Sequence, residues 1–181
     1  MRDLLLIHRA IEFAVIRHNG QKRKGTETPY IVHPVEVMQI LTAESCTDEV
    51  IAAGILHDIL EDTDTTFEEI KENFGEKIAS LVAAESEDKS KSWEERKQET
   101  INHLQDCEKE IVMCVLADKL SNLLSICDDF SKVGQKIWER FNRPYEKEKW
   151  YYTEIKKATA RYSNCNIWKK YAELCDILFG E

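Results

Sequence analysis

The stretch Gly54-Ile55-Leu56-His57-Asp58-Ile59-Leu60-Glu61-Asp62 ends an apolar run in one histidine and three carboxylates. Ionised carboxylates are costly to bury unpaired, so a divalent cation is the simplest partner for them. On a continuous helix the adjacent His57 and Asp58 project about 100° apart, so both reach one ion only beside a helix end. Two donors hold a metal poorly, and a site needs more from elsewhere in the fold. The chain offers His33, before Pro34, and Asp118, which interrupts Leu116-Ala117-Asp118-Lys119-Leu120. Each has a plain alternative: His33 as a helix cap or satisfied core histidine, Asp118 as a partner of Lys119 or a solvated carboxylate. Glu61 and Asp62 lie one helical turn beyond His57 and Asp58, where they can accept a proton from water or hydrogen-bond it into line.

A second group of residues suits an anionic ligand. Lys22-Arg23-Lys24 is the most concentrated positive charge in the chain. Arg23 suits a purine face or a phosphate through its planar fork, and Lys24 acts as a point charge; the alternative is an exposed basic loop. Asn122, four residues after Asp118, shares its helix face, and Ser125 lies on nearly the same side. Tyr30 is expected to pack rather than bind. Trp138, Phe141, Trp150, Tyr151 and Tyr152 read as core aromatics of the last helices.

The elements that must position these groups are helical. Apolar residues recur at helical spacing from Asp3 to His18, with Asn19-Gly20 as a stop. Residues 21–32 form a loop. His33-Pro34 opens a second helix, and Thr47-Asp48-Glu49 caps a third that is expected to run to about Leu60. Thr66-Phe67-Glu68-Glu69 and Ser92-Trp93-Glu94-Glu95 are capping boxes, the first for a short helix stopping at Phe74-Gly75, the second for a polar helix reaching about Asp106. Another helix passes through Ala79, Leu81 and Val82, and residues 85–92, charged and serine-rich, read as a surface loop. Glu110 to Asp129 holds the most apolar helix. Lys132 to Phe141, Glu146 to Arg161 and Asn166 to Leu178 complete the set. The fold class is all-α, with about eight to ten helices over a single domain, residues 1–181.

Bulk composition sets limits. With 181 residues, 43% of them apolar, three prolines and six glycines, the chain can bury a helical core. A formal charge of −9 argues against nucleic acid as a partner, because that binding needs a clustered basic surface. No apolar run approaches the roughly 20 residues of a membrane span. Arg9 and Glu12 interrupt the first apolar stretch, so it is no signal peptide. Six cysteines without a C-x-x-C pair read as reduced thiols, which points to a cytoplasmic protein.

Taken in order, Arg23-Lys24, Pro29-Tyr30-Ile31-x-His33-Pro34, Leu56-His57-Asp58-x-x-Glu61-Asp62-Thr63-x-x-Thr66, Phe74-Gly75 and Leu116-Ala117-Asp118-Lys119-Leu120-x-Asn122-Leu123 resemble the hydrolase domain of RelA/SpoT-type alarmone enzymes, within the HD phosphohydrolase superfamily. The matching blocks span about residues 8 to 125. Without a synthetase or regulatory region in 181 residues, the chain looks like the small stand-alone alarmone hydrolases, the Mesh1-like group. The resemblance implies removal of the 3′-pyrophosphate of ppGpp or pppGpp with one Mn2+ per chain. It assigns His33, His57, Asp58 and Asp118 to the metal, Glu61 and Asp62 to the attacking water, and Arg23, Lys24 and Asn122 to a small anionic nucleotide, with Ser125 a further candidate only from its place on nearly the same helix side as Asp118 and Asn122. Ala83-Ala84-Glu85-Ser86-Glu87-Asp88 stands where the family carries a glycine-threonine-lysine-type segment, and Leu124 where many members have a basic residue. The alternatives are an HD phosphohydrolase for another nucleotide, such as NADPH or an adenine alarmone, and a non-catalytic alarmone-binding helical module.

Overall fold

In the computed structural model, which describes residues 2–140 and 143–180, every regular element is helical. The order is α1 (Leu4–Arg17), α2 (Val32–Ala43), α3 (Asp48–Leu56), α4 (Ile59–Asp62), α5 (Phe67–Phe74), α6 (Glu76–Glu85), α7 (Trp93–Asp106), α8 (Lys109–Val133), α9 (Tyr145–Ala158) and α10 (Asn166–Phe179). Short 3-10 turns cover Gly134–Arg140 and Ala160–Tyr162.

Local chemistry explains where most helices begin. Asp3, Thr47, Thr66 and Ser92 each accept a hydrogen bond from a first-turn amide, satisfying one of the donors a helix start leaves open. Ser92 and Glu95 complete a reciprocal capping box; at Thr66 only the hydroxyl half forms, to Glu69 N at 3.2 Å.

Two helices make the centre. Every residue of α3 from Val50 to Leu56 is buried, as is the run Val112 to Asp118 of α8. Helices α1, α2, α6 and α8 surround α3, and α2 and α10 flank α8. Gly54 lets α2 and α3 approach closely, since a Cβ there would lie 2.3 Å from Leu41 Cδ1. Each fully buried Leu or Ile of this centre contributes about 1.5–3 kcal/mol, against the entropy of ordering it. Helix α7 adds Ile101 and Leu104 to the buried core and packs principally on α9, where Trp93 meets Trp150 and Tyr151 with ring centroids 6.1 Å away in each case.

Three expectations are corrected here. The third helix does not continue to Leu60: it ends at Leu56, His57 and Asp58 form a turn, and α4 restarts at Ile59. The His57 ring bonds Gly54 O at 2.8 Å, competing for the carbonyl that the Asp58 amide would take in a continuing helix. The helix expected over Lys132 to Phe141 is absent as such, because α8 runs on to Val133 and gives way to the 3-10 turn; Phe141 lies outside the described residues. Residues 85–92 are not simply a surface loop, since Glu85 is the last residue of α6 and Ser86 and Glu87 are half-buried. Among the described residues, no helix is long and apolar enough to cross a membrane, and no cysteines are joined in a disulfide.

Candidate metal centre

Four side chains from three places in the chain converge: His33 from the first turn of α2, His57 and Asp58 from the α3–α4 turn, and Asp118 from α8. The ligand atoms of His33, His57 and Asp58 all lie within 4.8 Å of one another. His57 Nε2 is 2.8 Å from Asp58 Oδ2 and 3.2 Å from His33 Nε2. Asp118 Oδ1 stands 3.1 Å from His33 Nε2 and 3.8 Å from His57 Nε2. The helix break is what permits this, for the turn brings both His57 and Asp58 to one point.

Hydrogen bonding behind the rings fixes which nitrogen faces the cluster. His57 Nδ1 meets the Gly54 carbonyl, which can only accept, so that nitrogen carries the proton. His33 Nδ1 lies 2.8 Å from Ser121 Oγ, and Ser121 donates its single proton to Glu36 Oε2 at 2.7 Å. Ser121 must therefore accept from His33. Both Nε2 atoms thus face each other across 3.2 Å, with carboxylate oxygens beside them. Such a set repels itself until a cation enters, and two neutral imidazoles with two carboxylates fit a divalent ion that keeps open positions. The electrostatics agree. Burial opposes charge on His57, but Asp58 and Asp118 outweigh it and raise the imidazole to about 10. Burial works against the charged forms of Asp58 and Asp118 too, yet the neighbouring His57 and, for Asp118, Lys119 hold both below the usual carboxylate range. A proton occupies the role a metal would take.

Asp118 does two jobs at once. Lys119 Nζ bonds Oδ2 at 2.5 Å, while Oδ1 faces the histidines and accepts from Asn122 Nδ2 at 2.6 Å. The Lys119 pairing and the metal-facing position hold together because each oxygen has its own partner.

The cluster lies in a cavity of about 520 Å3. Arg23 bonds Asn122 Oδ1 at 2.8 Å, and both reach this cavity as well as a neighbouring one of about 300 Å3. Lys24 and Ser125 line only the smaller cavity. Glu61 lines the larger one, its Oε1 held by Glu87 N at 2.8 Å and its carboxyl raised by burial. Asp62 is exposed, 3.5 Å from Lys89 Nζ, and does not line the cavity. Lys89 also donates to the Glu61 carbonyl at 2.5 Å.

Several cavity residues escaped the sequence. Tyr30 does more than pack: it lines both cavities, and its hydroxyl donates to Asp58 Oδ2, while burial and that carboxylate push the phenol far up. The opposite wall carries Lys97, bonded to Glu87 at 2.6 Å, with Arg96 3.2 Å from the same carboxylate. Lys97 Nζ lies 4.8 Å and Lys119 Nζ 5.8 Å from the Tyr151 ring centroid; burial and Lys119 lower the Lys97 ammonium. Tyr151 and Tyr152 are buried, in keeping with core aromatics, and also line the larger and smaller cavities respectively. Glu85 is the least expected. Burial pushes its carboxyl up to about 8, with Asp118 and Asp58 adding to the rise and His57 and Lys119 opposing it.

A helical scaffold presenting two histidines and two aspartates in the order His, His-Asp, Asp defines a metal-dependent phosphohydrolase-type centre. Residues 10–144 match the HD domain family, and the chain belongs to that family. It is 42% identical over 136 residues to the guanosine-3′,5′-bis(diphosphate) 3′-pyrophosphohydrolase MESH1 of Danio rerio, covering 72% of this chain and 76% of that protein. The Xenopus tropicalis protein of the same name is 41% identical over 144 residues, covering 77% and 80%. Among solved structures, a Listeria monocytogenes EGD-e protein superposes with a TM-score of 0.79 at 37% identity, over 82% of this chain and 99% of that one. A metazoan ortholog of SpoT, which hydrolyses ppGpp and plays a role in starvation responses, superposes with a TM-score of 0.77 at 31% identity, over 93% of each chain.

Proposed function

We propose that this chain is a manganese-dependent guanosine-3′,5′-bis(diphosphate) 3′-pyrophosphohydrolase. Water attacks the phosphorus carried on the 3′ oxygen, that P–O bond breaks, and ppGpp yields GDP and pyrophosphate, as pppGpp yields GTP and pyrophosphate. The observation that carries this reading is the facing Nε2 pair of His33 and His57, flanked by Asp58 and Asp118, in a cavity whose wall presents Arg23, Arg96, Lys97 and Lys119. Relatives above 40% identity bear the name of that activity.

His33, His57, Asp58 and Asp118 hold the ion, which when bound supplies Lewis acidity toward a phosphoryl oxygen and acidifies water. Glu61, raised by burial and reaching into the cavity, accepts the proton of the attacking water. Asp62 acts from outside, sharing Lys89 with Glu61. Arg23 and Asn122, bonded to each other at the junction of the two cavities, orient the nucleotide between them, with Lys24 and Ser125 lining the smaller one. Lys97 and Lys119 meet phosphate charge. The unit is one domain over residues 1–181, acting in the cytoplasm on a small anionic nucleotide, without nucleic acid or membrane; the net charge of −9 supports the reading that nucleic acid is no partner.

The test is direct. Purified protein with Mn2+ and ppGpp is expected to release GDP and pyrophosphate in equal amounts, resolved by anion-exchange chromatography, and to turn over NADPH and adenine alarmones more slowly. No pyrophosphate release at an enzyme level where an authentic hydrolase works overturns the reading, and tight nucleotide binding without turnover makes the chain a sensor.

A further inference from the structure

Glu85 lines the metal cavity but stands outside the His33, His57 and Asp58 cluster and its neighbour Asp118. Three observations make its position costly for the protein alone. It is the last residue of α6, where the negative end of the helix dipole disfavours a carboxylate. Its Oε1 is sealed from solvent and has no hydrogen-bond partner among the described residues, although the residue as a whole is only half-buried. The neighbouring positive groups are already engaged, Lys119 with Asp118 at 2.5 Å and His57 with Asp58 at 2.8 Å. Behind Glu85 lies the buried Cys114 thiol, itself pushed up by burial and by this carboxyl. The thiol is the carboxyl's neighbour on that side, and it supplies no positive charge.

A shielded carboxylate with an unused oxygen persists where a ligand completes it. The ligand here has to be cationic, and the cavity that Glu85 shares with two histidines and two aspartates is where a divalent ion fits.

We propose that Glu85 is a further cation-binding carboxylate of this centre, contributing a fifth protein group to the site formed by His33, His57, Asp58 and Asp118. The inference rests on the reading of that cluster as a divalent-metal site. It adds one negative charge next to the ion, and so strengthens uptake of Mn2+ whatever nucleotide is later bound. Burial beside two aspartates, which raises the Glu85 carboxyl when no cation compensates it, is in keeping with that role.

The experiment measures metal binding by the whole protein without nucleotide, from loss of the free Mn2+ signal in electron paramagnetic resonance. Glu85→Gln and Glu85→Val are compared with wild type and with Glu99→Gln, a carboxylate on the rim of the same cavity that pairs with Lys91. Both Glu85 variants are expected to weaken Mn2+ binding by about tenfold, in the range found when groups supporting a metal's ligands are lost, while Glu99→Gln stays close to wild type. Thermal unfolding supplies a second readout. Removing a shielded carboxyl whose oxygen lacks a partner is expected to raise the midpoint of the metal-free protein, whereas removing a packing residue lowers it. If Glu85→Gln binds Mn2+ as wild type does, or both variants lower the metal-free midpoint, the proposal is overturned. If wild type takes up no Mn2+, the centre itself fails and Glu85 with it.

Discussion

His33 and Ser121, 88 residues apart, are joined at 2.8 Å in a bond whose direction is fixed, because the serine proton is spent on Glu36. The serine hydroxyl therefore sets the tautomer of the histidine and aims its lone pair at the cluster. Ser121→Ala removes the acceptor without opening a large void. Mn2+ affinity is expected to fall by about 10–100-fold, the usual cost of losing a group that orients a metal ligand. Isothermal titration with Mn2+ measures it, and an unchanged dissociation constant would show that the ring is held by packing alone.

Tyr30 donates its hydroxyl to Asp58, across 28 residues. Tyr30→Phe keeps the ring, whose centroid lies 5.9 Å from the Arg23 guanidinium carbon, and deletes only the bond to the carboxylate. Hydrogen bonds to charged groups contribute about 1.5–3 kcal/mol, so kcat/KM for ppGpp is expected to drop about 10–100-fold with the circular dichroism spectrum unchanged. Steady-state kinetics on the purified variant decide it; full activity would return Tyr30 to a packing role.

Lys97 is mostly shielded, pairs with Glu87 and faces the cavity over Tyr151. If it meets substrate phosphate, Lys97→Ala should raise KM for ppGpp by about tenfold or more, while leaving Mn2+ affinity alone. Equal losses in KM and metal binding would instead mean that the wall had collapsed.

Gly54 tests the scaffold. An added Cβ meets Leu41 Cδ1 at 2.3 Å and Val37 Cγ1 at 3.0 Å, so Gly54→Ala is expected to destabilise the fold by about 1–3 kcal/mol through overpacking. Urea unfolding reads this. Combining it with Leu41→Ala should cost less than the sum of the two, because one change makes room for the other.

Much of this architecture is legible in the residues themselves. The apolar runs of α3 and α8 are contiguous enough to read as buried helices, and Thr47, Thr66 and Ser92 mark helix starts by short-range chemistry alone. His33, His57, Asp58 and Asp118 stand out because charged or ligand-type residues interrupt such runs. What stayed hidden depends on partners far away in sequence. The break after Leu56 arises from a ring competing for a carbonyl, which residue spacing does not reveal. Tyr30 looks like any aromatic until Asp58 arrives at its hydroxyl. Glu85 and Glu87 sit in a charged, serine-rich stretch whose composition signals solvent, and only Arg96 and Lys97 of another helix draw Glu87 inward. Asp62, adjacent to Glu61 in the chain, faces away because neighbouring residues of a helix project about 100° apart.

The seating of α7 on α9 divides the labour of the molecule. The ion's ligands belong to helices locked around the α3 and α8 centre, whereas Arg96 and Lys97 sit at the start of α7, next to an aromatic seam of Trp93, Trp150 and Tyr151 and ahead of its buried anchors Ile101 and Leu104. Damage to that seam would leave a protein still able to capture its metal yet poor at gripping polyphosphate, so affinity for cation and for anion can evolve, or fail, separately.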